Sequence, residues 1–280
     1  MQKMSVINYQ ASITKRLASV YPPDEAQEIA FWLLEELTGL SRADITAGKI
    51  TKNISNMEIF LARLLKKEPI QYIFGHSLWY GLDLLVTNDT LIPRPETAEL
   101  VDLVLQNLKP ETQNRFSVLD IGTGSGCIAL KLKQRRPDWQ VTGLDISSAA
   151  LDIARQNAVR NRLDVNWMQA DILNSPSNSQ LSKFNCIVSN PPYITESEKS
   201  AMDSNVLDYE PHTALFVPDS DPLRFYRAIA ALRASWLFFE INPRFAADVA
   251  QLLTENGYTQ VTVHNDIYGK QRMVSGRIEA

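Results

Sequence analysis

One stretch limits the folds open to this chain more than any other. Residues 118–126 read V-L-D-I-G-T-G-S-G. An apolar strand ends at Asp120, glycines follow at 122, 124 and 126, and a helical pattern opens near Ser125. Glycines in such a turn let the backbone pass close to a ligand without a Cβ clash. A strand, a glycine turn and a helix in succession start a parallel α/β sheet. Further strand candidates then alternate with helices. The strands are Ser117–Gly122, Gln140–Asp145, Val165–Asp171, Phe184–Asn190, Ser235–Asn242, Thr259–His264 and Gln271–Ile278. Ser148–Asn161, Asp221–Ala234 and Arg244–Asn256 carry helical spacing. The link from Asn265 to Lys270, with Gly269, is too short for a crossover, so the last two strands must pair antiparallel. The expected fold class is α/β and Rossmann-like: a mostly parallel sheet with an antiparallel last strand.

The first 75 residues follow a different pattern. Pro22-Pro23-Asp24 opens a segment with apolar residues at Ile29, Trp32, Leu33 and Leu37, and Gly39 suits its C-terminal end. Ser55-Asn56-Met57-Glu58 has the form of a capping box, in which Ser55 satisfies a first-turn amide and Glu58 reaches back. Met57, Phe60, Leu61, Leu64 and Leu65 make one stripe behind it, and Pro69 is expected to stop that helix. Short strand-like pieces around Gly81 and Asn88-Asp89 predict a hairpin. The expected division is therefore a helical domain at 1–75, a hairpin linker at 76–92 and an α/β domain at 93–280.

Bulk properties narrow the partners. Across 280 residues the net charge is −4, where a protein that grips nucleic acid backbone tightly shows a basic excess. Two cysteines, Cys127 and Cys186, lie in apolar surroundings and read as buried thiols, too few for a disulfide framework or a zinc site. His76, His212 and His264 lack ligand spacing, so no metal is expected. The N-terminus lacks a signal-peptide core and no run of about 20 apolar residues occurs, which predicts a soluble protein of the reducing cytoplasm, off the membrane.

The acids at the strand ends indicate the ligand. A dinucleotide fold prefers G-x-G-x-x-G under a pyrophosphate; here Cys127 stands where that pattern wants glycine. Asp120 just before the loop would repel a pyrophosphate but suits the cationic amino group of a methionine moiety. S-adenosyl-L-methionine is therefore ranked ahead of a nicotinamide dinucleotide. Asp145 closes the second strand, where an acid accepts hydrogen bonds from both ribose hydroxyls or else caps the helix near Ser147–Ala150. Asp171 closes the third and either accepts from the adenine amino group, with Ile172 covering the ring, or forms a turn.

After the fourth strand comes S-N-P-P-Y-I at 189–194. Ligands of open α/β sheets bind outside the carboxyl ends of the strands, near the point where strand order reverses. A planar NH2 group there would offer its two hydrogens to the Asn190 side-chain oxygen and the Pro191 carbonyl. The fixed φ of Pro191 and Pro192 holds that carbonyl rigidly, and the Tyr193 ring stacks on the planar group. No strong base is needed, because the nitrogen becomes acidic once methylated. The other reading is a rigid turn with a core tyrosine. The motif serves glutamine amides and adenine or cytosine amines alike.

Several stretches together resemble a known family, the bacterial protein-(glutamine-N5) methyltransferases of peptide chain release factors, the HemK/PrmC family. They are P-I-Q-Y-I-F-G at 69–75, L-I-P-R-P-E-T at 91–97, the glycine loop, S-N-P-P-Y-I, Y-E-P-H-T-A-L at 209–215 and D-I-Y-G-K-Q-R-M-V at 266–274. The resemblance implies an N-terminal helical domain that helps hold the substrate, a hairpin, and a class I methyltransferase domain. It implies methylation of the glutamine in the Gly-Gly-Gln motif of class 1 release factors. A ribosomal-protein glutamine, or an exocyclic amine of a nucleic acid, is the alternative acceptor. Carried over by position, it places the donor at Asp120, Ile121, Gly122, Thr123, Gly124, Asp145, Ile172 and Asn190. The substrate glutamine falls against Asn190, Pro191, Pro192 and Tyr193, with Arg94 and Glu96 shaping the pocket; Pro95 and Glu96 also suit a helix start. Three departures stand out. Ala98 replaces a common acid, Ile172 a common aromatic, and Glu240-Ile241-Asn242-Pro243 differs from the family's usual loop.

Overall fold

The computed structural model describes residues 4–51, 54, 56–108, 116–174, 181 and 183–278. Its contacts divide the chain into two units, one of 1–75 with 204–209 and one of 76–203 with 210–280.

In the helical unit, α1 (Val6–Leu17), α2 (Pro23–Thr38), α3 (Arg42–Thr46), α4 (Met57–Leu64) and α5 (Ile70–Phe74) bury a shared core, and a two-residue strand β1 (Met4–Ser5) pairs with β2 (Ile50–Thr51). α2 starts as its sequence dictates, with Pro23 in the first turn beside Asp24 and Glu25. It ends at Gly39, whose φ of 67° closes the helix through an N–H bond to the Glu35 carbonyl at 2.8 Å. Ala26, Ile29, Ala30, Leu33 and Leu34 form its buried stripe.

One local expectation differs, and another falls partly outside the described residues. Ser55 of the expected capping box lies outside the described residues. Glu58 grips the Arg16 guanidinium with both oxygens, at 2.7 and 2.9 Å. Pro69 does not stop α4, which already ends at Leu64; it opens α5, where its missing N–H and fixed φ suit a first turn.

The second unit starts with a hairpin. β3 (His76–Trp79) pairs antiparallel with β4 (Leu82–Leu85). Tyr80 and Gly81 have φ of 47° and 77°, the two left-handed positions that match a two-residue turn to strand twist. Residues 87–90 form a plain turn, closed by the Thr90 amide on the Thr87 carbonyl at 2.9 Å, and not a second strand pair. Trp79, Leu82 and Leu84 sink into the α/β core.

The remaining elements are α6 (Pro95–Asn107), β5 (Ser117–Ile121), α7 (Cys127–Arg135), β6 (Gln140–Asp145), α8 (Ser148–Asn161), β7 (Asn166–Gln169), β8 (Cys186–Ser189), β9 (Ile194–Thr195), β10 (Phe216–Val217), α10 (Arg224–Ala230), β11 (Trp236–Glu240), α11 (Ala246–Glu255), β12 (Thr259–Asn265) and β13 (Gln271–Arg277). Between β9 and β10 runs α9 (Ser204–Tyr209), which belongs with the helical unit; there the Tyr209 hydroxyl donates to the Lys66 carbonyl at 3.1 Å. The sheet order is β12-β13-β11-β8-β5-β6-β7. β11, β8, β5, β6 and β7 run parallel, and β13 runs antiparallel to both its neighbours. Strand order reverses between β5 and β8. One buried cluster lies on each face of the sheet's centre, with Val118, Val188 and Phe238 in one and Leu119, Ile187, Leu237 and Phe239 in the other, as alternating side chains require.

Several expected elements are shorter than the sequence predicts: β5 ends at Ile121, β8 spans only Cys186–Ser189, β11 only Trp236–Glu240, and β13 stops at Arg277. The third strand ends at Gln169 and not at Asp171. Helix 221–234 contracts to 224–230, with Asp221 in a turn before it and Arg233, at a φ of 54°, beyond its cap. Helix 244–256 starts at Ala246 behind a single tight turn of Pro243–Phe245 capped by the Asn242 side chain. Cys127 and Cys186 are buried free thiols. No helix among the described residues is long and apolar enough to cross a membrane.

Candidate active site

The carboxyl ends of β5, β6 and β8 bring the candidate site residues together. The glycine loop after β5 is strapped to β6: the amides of Gly122 and Thr123 both donate to the Leu144 carbonyl, at 2.8 and 3.0 Å. The Gly124 amide donates to Asp145 Oδ2 at 2.9 Å. The turn requires glycine at 126 for two reasons. Its φ is 83°, and a Cβ there would stand 2.9 Å from the Trp167 ring. The buried amide of Asn157 on α8 joins this loop to the hairpin, with Nδ2 donating to the Ser125 carbonyl at 2.9 Å and to the Leu85 carbonyl at 3.0 Å.

Asp120 works from beneath the loop. It is fully buried, and its Oδ2 accepts from the Thr123 hydroxyl at 2.6 Å and from the Ala129 amide, in the first turn of α7, at 3.2 Å. Its Oδ1 is sealed from solvent without a hydrogen-bond partner among the described residues. Burial pushes this carboxyl up to about 7, against the pull of those two donors and with some help from the charge of Asp145. The loop it ties covers this carboxylate, so only its field reaches the space above the loop.

Asp145 is only partly buried, and burial raises its pKa against the Ser147 and Gly124 amides, which it accepts at 2.9 Å each. It is not the cap of α8. Ser147 takes that position, its hydroxyl accepting from the Ala150 amide at 3.1 Å. Each Asp145 oxygen therefore keeps lone pairs for hydroxyls above the strand end, beside exposed Ile146.

Asp171 stands two residues beyond β7 and forms a turn. Its oxygens accept from the Leu173 amide at 2.9 Å and from Asn174 Nδ2 at 2.6 Å. Ile172 is partly buried against the core face that holds Ile121.

The proline corner meets the glycine loop. The Ser189 hydroxyl donates to the Ile121 carbonyl at 2.7 Å, and a Cβ on Gly122 would lie 4.0 Å from the Asn190 carbonyl oxygen. Pro191 is buried, while Asn190, Pro192 and Tyr193 stay partly open. Asn190 Nδ2 donates to Thr97 Oγ1 at 3.2 Å, and the Tyr193 hydroxyl donates to Glu240 Oε1 at 3.1 Å.

Arg94 and Glu96 part company. The Arg94 guanidinium binds buried Glu210 at 2.5 Å, and Glu210 also accepts from the Ile92 amide at 3.2 Å, so the two ends of the expected pocket motifs lock each other. Arg94 precedes α6, with Pro95 and Glu96 in its first turn. The His212 ring packs edge-on against Phe216, and a His264 ring nitrogen hydrogen-bonds Ser275 Oγ at 2.8 Å. No group of three potential metal ligands occurs among the described residues.

Two site residues escaped the sequence reading as functional groups, Thr97 and Glu240, both buried. Glu240 ends the apolar strand W-L-F-F-E. That is the same signal, an acid at a carboxyl strand end, that marks Asp120 and Asp145.

A sheet of this order with a glycine loop after its first central strand and Asn-Pro-Pro-Tyr after its fourth defines a class I methyltransferase. Solved structures agree on the fold. The hMettl16 catalytic domain is 14% identical with a TM-score of 0.54, covering 95% of this chain and 92% of that one. The human methyltransferase 10 domain containing protein is 17% identical at 0.53, covering 75% and 96%. The PrmC N-terminal domain model matches residues 9–75 and the Methyltransferase small domain model residues 99–208. A release factor glutamine methyltransferase of Bacteroides thetaiotaomicron is 42% identical over 95% of this chain and 97% of its own length. One of Flavobacterium psychrophilum is 39% identical over 97% and 98%. The chain belongs to the release factor glutamine methyltransferase family.

Proposed function

We propose that this protein transfers a methyl group from S-adenosyl-L-methionine to the side-chain amide nitrogen of the glutamine in the Gly-Gly-Gln motif of class 1 release factors, in the cytoplasm. The observation that carries the reading is the junction of the proline corner with the glycine loop at the point where strand order reverses. When bound, the donor supplies an electrophilic methyl on a sulfonium. Asp145 holds its ribose hydroxyls, Asp120 its cationic end by field, and Gly122, Thr123 and Gly124 let it approach the backbone. Asn190 Oδ1 and the Pro191 carbonyl accept the two hydrogens of the glutamine amide, which fixes its nitrogen toward the methyl group, and Tyr193 stacks on the amide plane. The helical domain at 1–75 helps hold the release factor; the hairpin at 76–92 leads into the methyltransferase domain at 93–280. Tight nucleic acid binding is not part of this reading. The test is transfer of labelled methyl to a release factor and to a copy whose Gly-Gly-Gln glutamine is replaced. The first is expected to be labelled and the second blank; equal labelling would sink the assignment.

Asp120 adds a pH signature. A carboxyl held near 7 in the fold, against an ordinary 3.8, favours the folded state at low pH. That contribution is complete below about 4 and is lost as pH rises through about 7. Around and above pH 7 the ionised form attracts the donor's cation. Donor affinity is expected to rise by up to about tenfold between pH 6 and 8, the span over which the carboxyl ionises. In Asp120→Asn it is expected to stay nearly flat. Calorimetric titration at the two pH values checks this, and a flat wild-type profile would contradict it.

A further inference from the structure

We propose that Glu240 and Thr97 are positioning residues that dictate which end of the Asn190 carboxamide faces the acceptor. This rests on the methyltransferase reading above and extends it to residues outside the Asn-Pro-Pro-Tyr motif.

A carboxamide has two ends of nearly equal size and opposite hydrogen-bonding character. The acceptor amide needs the oxygen. The nitrogen end would set donor against donor and turn the glutamine away. Nothing in the shape of Asn190 decides between them, so a neighbour must.

That neighbour is Thr97. Its hydroxyl has a single hydrogen, aimed at Glu240 Oε2 at 2.8 Å. What it presents to Asn190, 3.2 Å away, is therefore lone pairs, which only the Nδ2 end can satisfy. Flipping the amide would press Oδ1 against those lone pairs with no proton between. Glu240 sets the rotor of Thr97, Thr97 sets the flip of Asn190, and Oδ1 is left turned away from Thr97 for the acceptor. The other oxygen of Glu240 accepts the Tyr193 hydroxyl at 3.1 Å, so one carboxylate fixes both the amide and the ring.

The fold supplies this arrangement through sheet register. Phe239 on β11 pairs with Ser189 on β8, so the next residues along, Glu240 and Asn190, lie side by side at the carboxyl edge, with Glu240 still paired to Met273 on β13. Asn242, two residues further, donates to the Tyr193 carbonyl at 3.2 Å and holds the backbone of the same corner. A carboxylate that is 2% exposed is a costly group to keep. Burial raises its pKa, opposed by the Thr97 and Tyr193 hydroxyls and by Arg272 on β13, while Glu96 pushes the same way as burial. A plain core position would be filled better by an apolar side chain.

The experiment uses the full-length protein, S-adenosyl-L-methionine and a release factor carrying Gly-Gly-Gln. Thr97→Val removes the hydroxyl at constant shape, Thr97→Ser restores it, and Glu240→Gln sets an NH2 against one of the two hydroxyls that Glu240 accepts. Thr97→Val and Glu240→Gln are expected to lower kcat by about 100-fold, the scale of one misplaced polar group at a reacting centre. Donor Kd and acceptor KM are expected to stay within about threefold, and Thr97→Ser to recover kcat to within about threefold of wild type. A Thr97→Val enzyme with wild-type kcat overturns the proposal. So does a Thr97→Ser enzyme as slow as Thr97→Val, and so does loss of donor affinity and melting temperature with kcat unchanged, the signature of a merely structural role. If Glu240→Gln does not fold, the two Thr97 variants decide. A wild-type enzyme that labels no release factor defeats the underlying reading as well, whereas an active wild type matched by Thr97→Val defeats only this inference.

Discussion

Replacing Asn190 by alanine is expected to lower kcat by about 1,000-fold while changing donor affinity by less than about threefold. The asymmetry follows from where the side chain sits. Asn190 follows the end of β8, where its Nδ2 is tied to Thr97 and its Oδ1 end is not. Losing the oxygen removes one of the two acceptors that orient the reacting amide. Misplacing a reacting group costs on the order of 100-fold, and removing a polar contact that strengthens at the transition state costs about 100- to 1,000-fold. The glycine loop and β6 are built without this side chain, so the donor still binds. Single-turnover rates with saturating donor, beside calorimetric donor affinity, separate the two effects. Turnover within tenfold of wild type would remove Asn190 from the chemistry.

Asp145→Ala is expected to do the converse. Both its oxygens accept backbone amides of the loop and the α8 start, at 2.9 Å, and in the proposed function they also take the two ribose hydroxyls of the donor. Hydrogen bonds to a charged acceptor contribute about 1.5–3 kcal/mol each, so donor Kd is expected to rise by about 100-fold or more. At saturating donor, kcat is expected to fall only modestly, because Asp145 touches nothing of the acceptor corner. Asp145→Asn keeps one accepting oxygen and is expected to lie between. An alanine variant with unchanged donor Kd and a much lower kcat would reverse the assigned roles of the two strand ends.

The parts of the fold legible in the sequence are those where one local rule decides. Pro23 and Gly39 bound α2 because fixed φ and a left-handed cap act within a turn. α8 was readable residue for residue, from Ser148 to Asn161, and the short Asn265–Lys270 link forced an antiparallel pair. The glycine loop, Asp145 and the proline corner were legible for a further reason: each must stand at a strand's carboxyl end, and strand ends are marked by where apolar runs stop. What the sequence hides are partnerships across distance. Thr97 and Glu240 are 143 residues apart and meet only because α6 packs beside β11. Arg94 and Glu210 meet across 116 residues. Asp171 shows the other failure. An acid after an apolar run was read as a strand end, but β7 stops at Gln169 and the side chain closes a turn instead. Pro69 failed likewise, since a proline that ends one helix and a proline that begins the next look alike until the intervening turn is seen.

The central claim is that a flat carboxamide is clamped by the proline corner beside a sulfonium donor lying over the ends of β5 and β6. A crystal structure of the protein with S-adenosyl-L-homocysteine and a Gly-Gly-Gln peptide tests it most directly. The expected result is a glutamine nitrogen about 3 Å from both Asn190 Oδ1 and the Pro191 carbonyl oxygen, with the donor's ribose on Asp145. A donor product bound away from the glycine loop, or a glutamine side chain that does not reach the Asn190–Tyr193 corner, would contradict it.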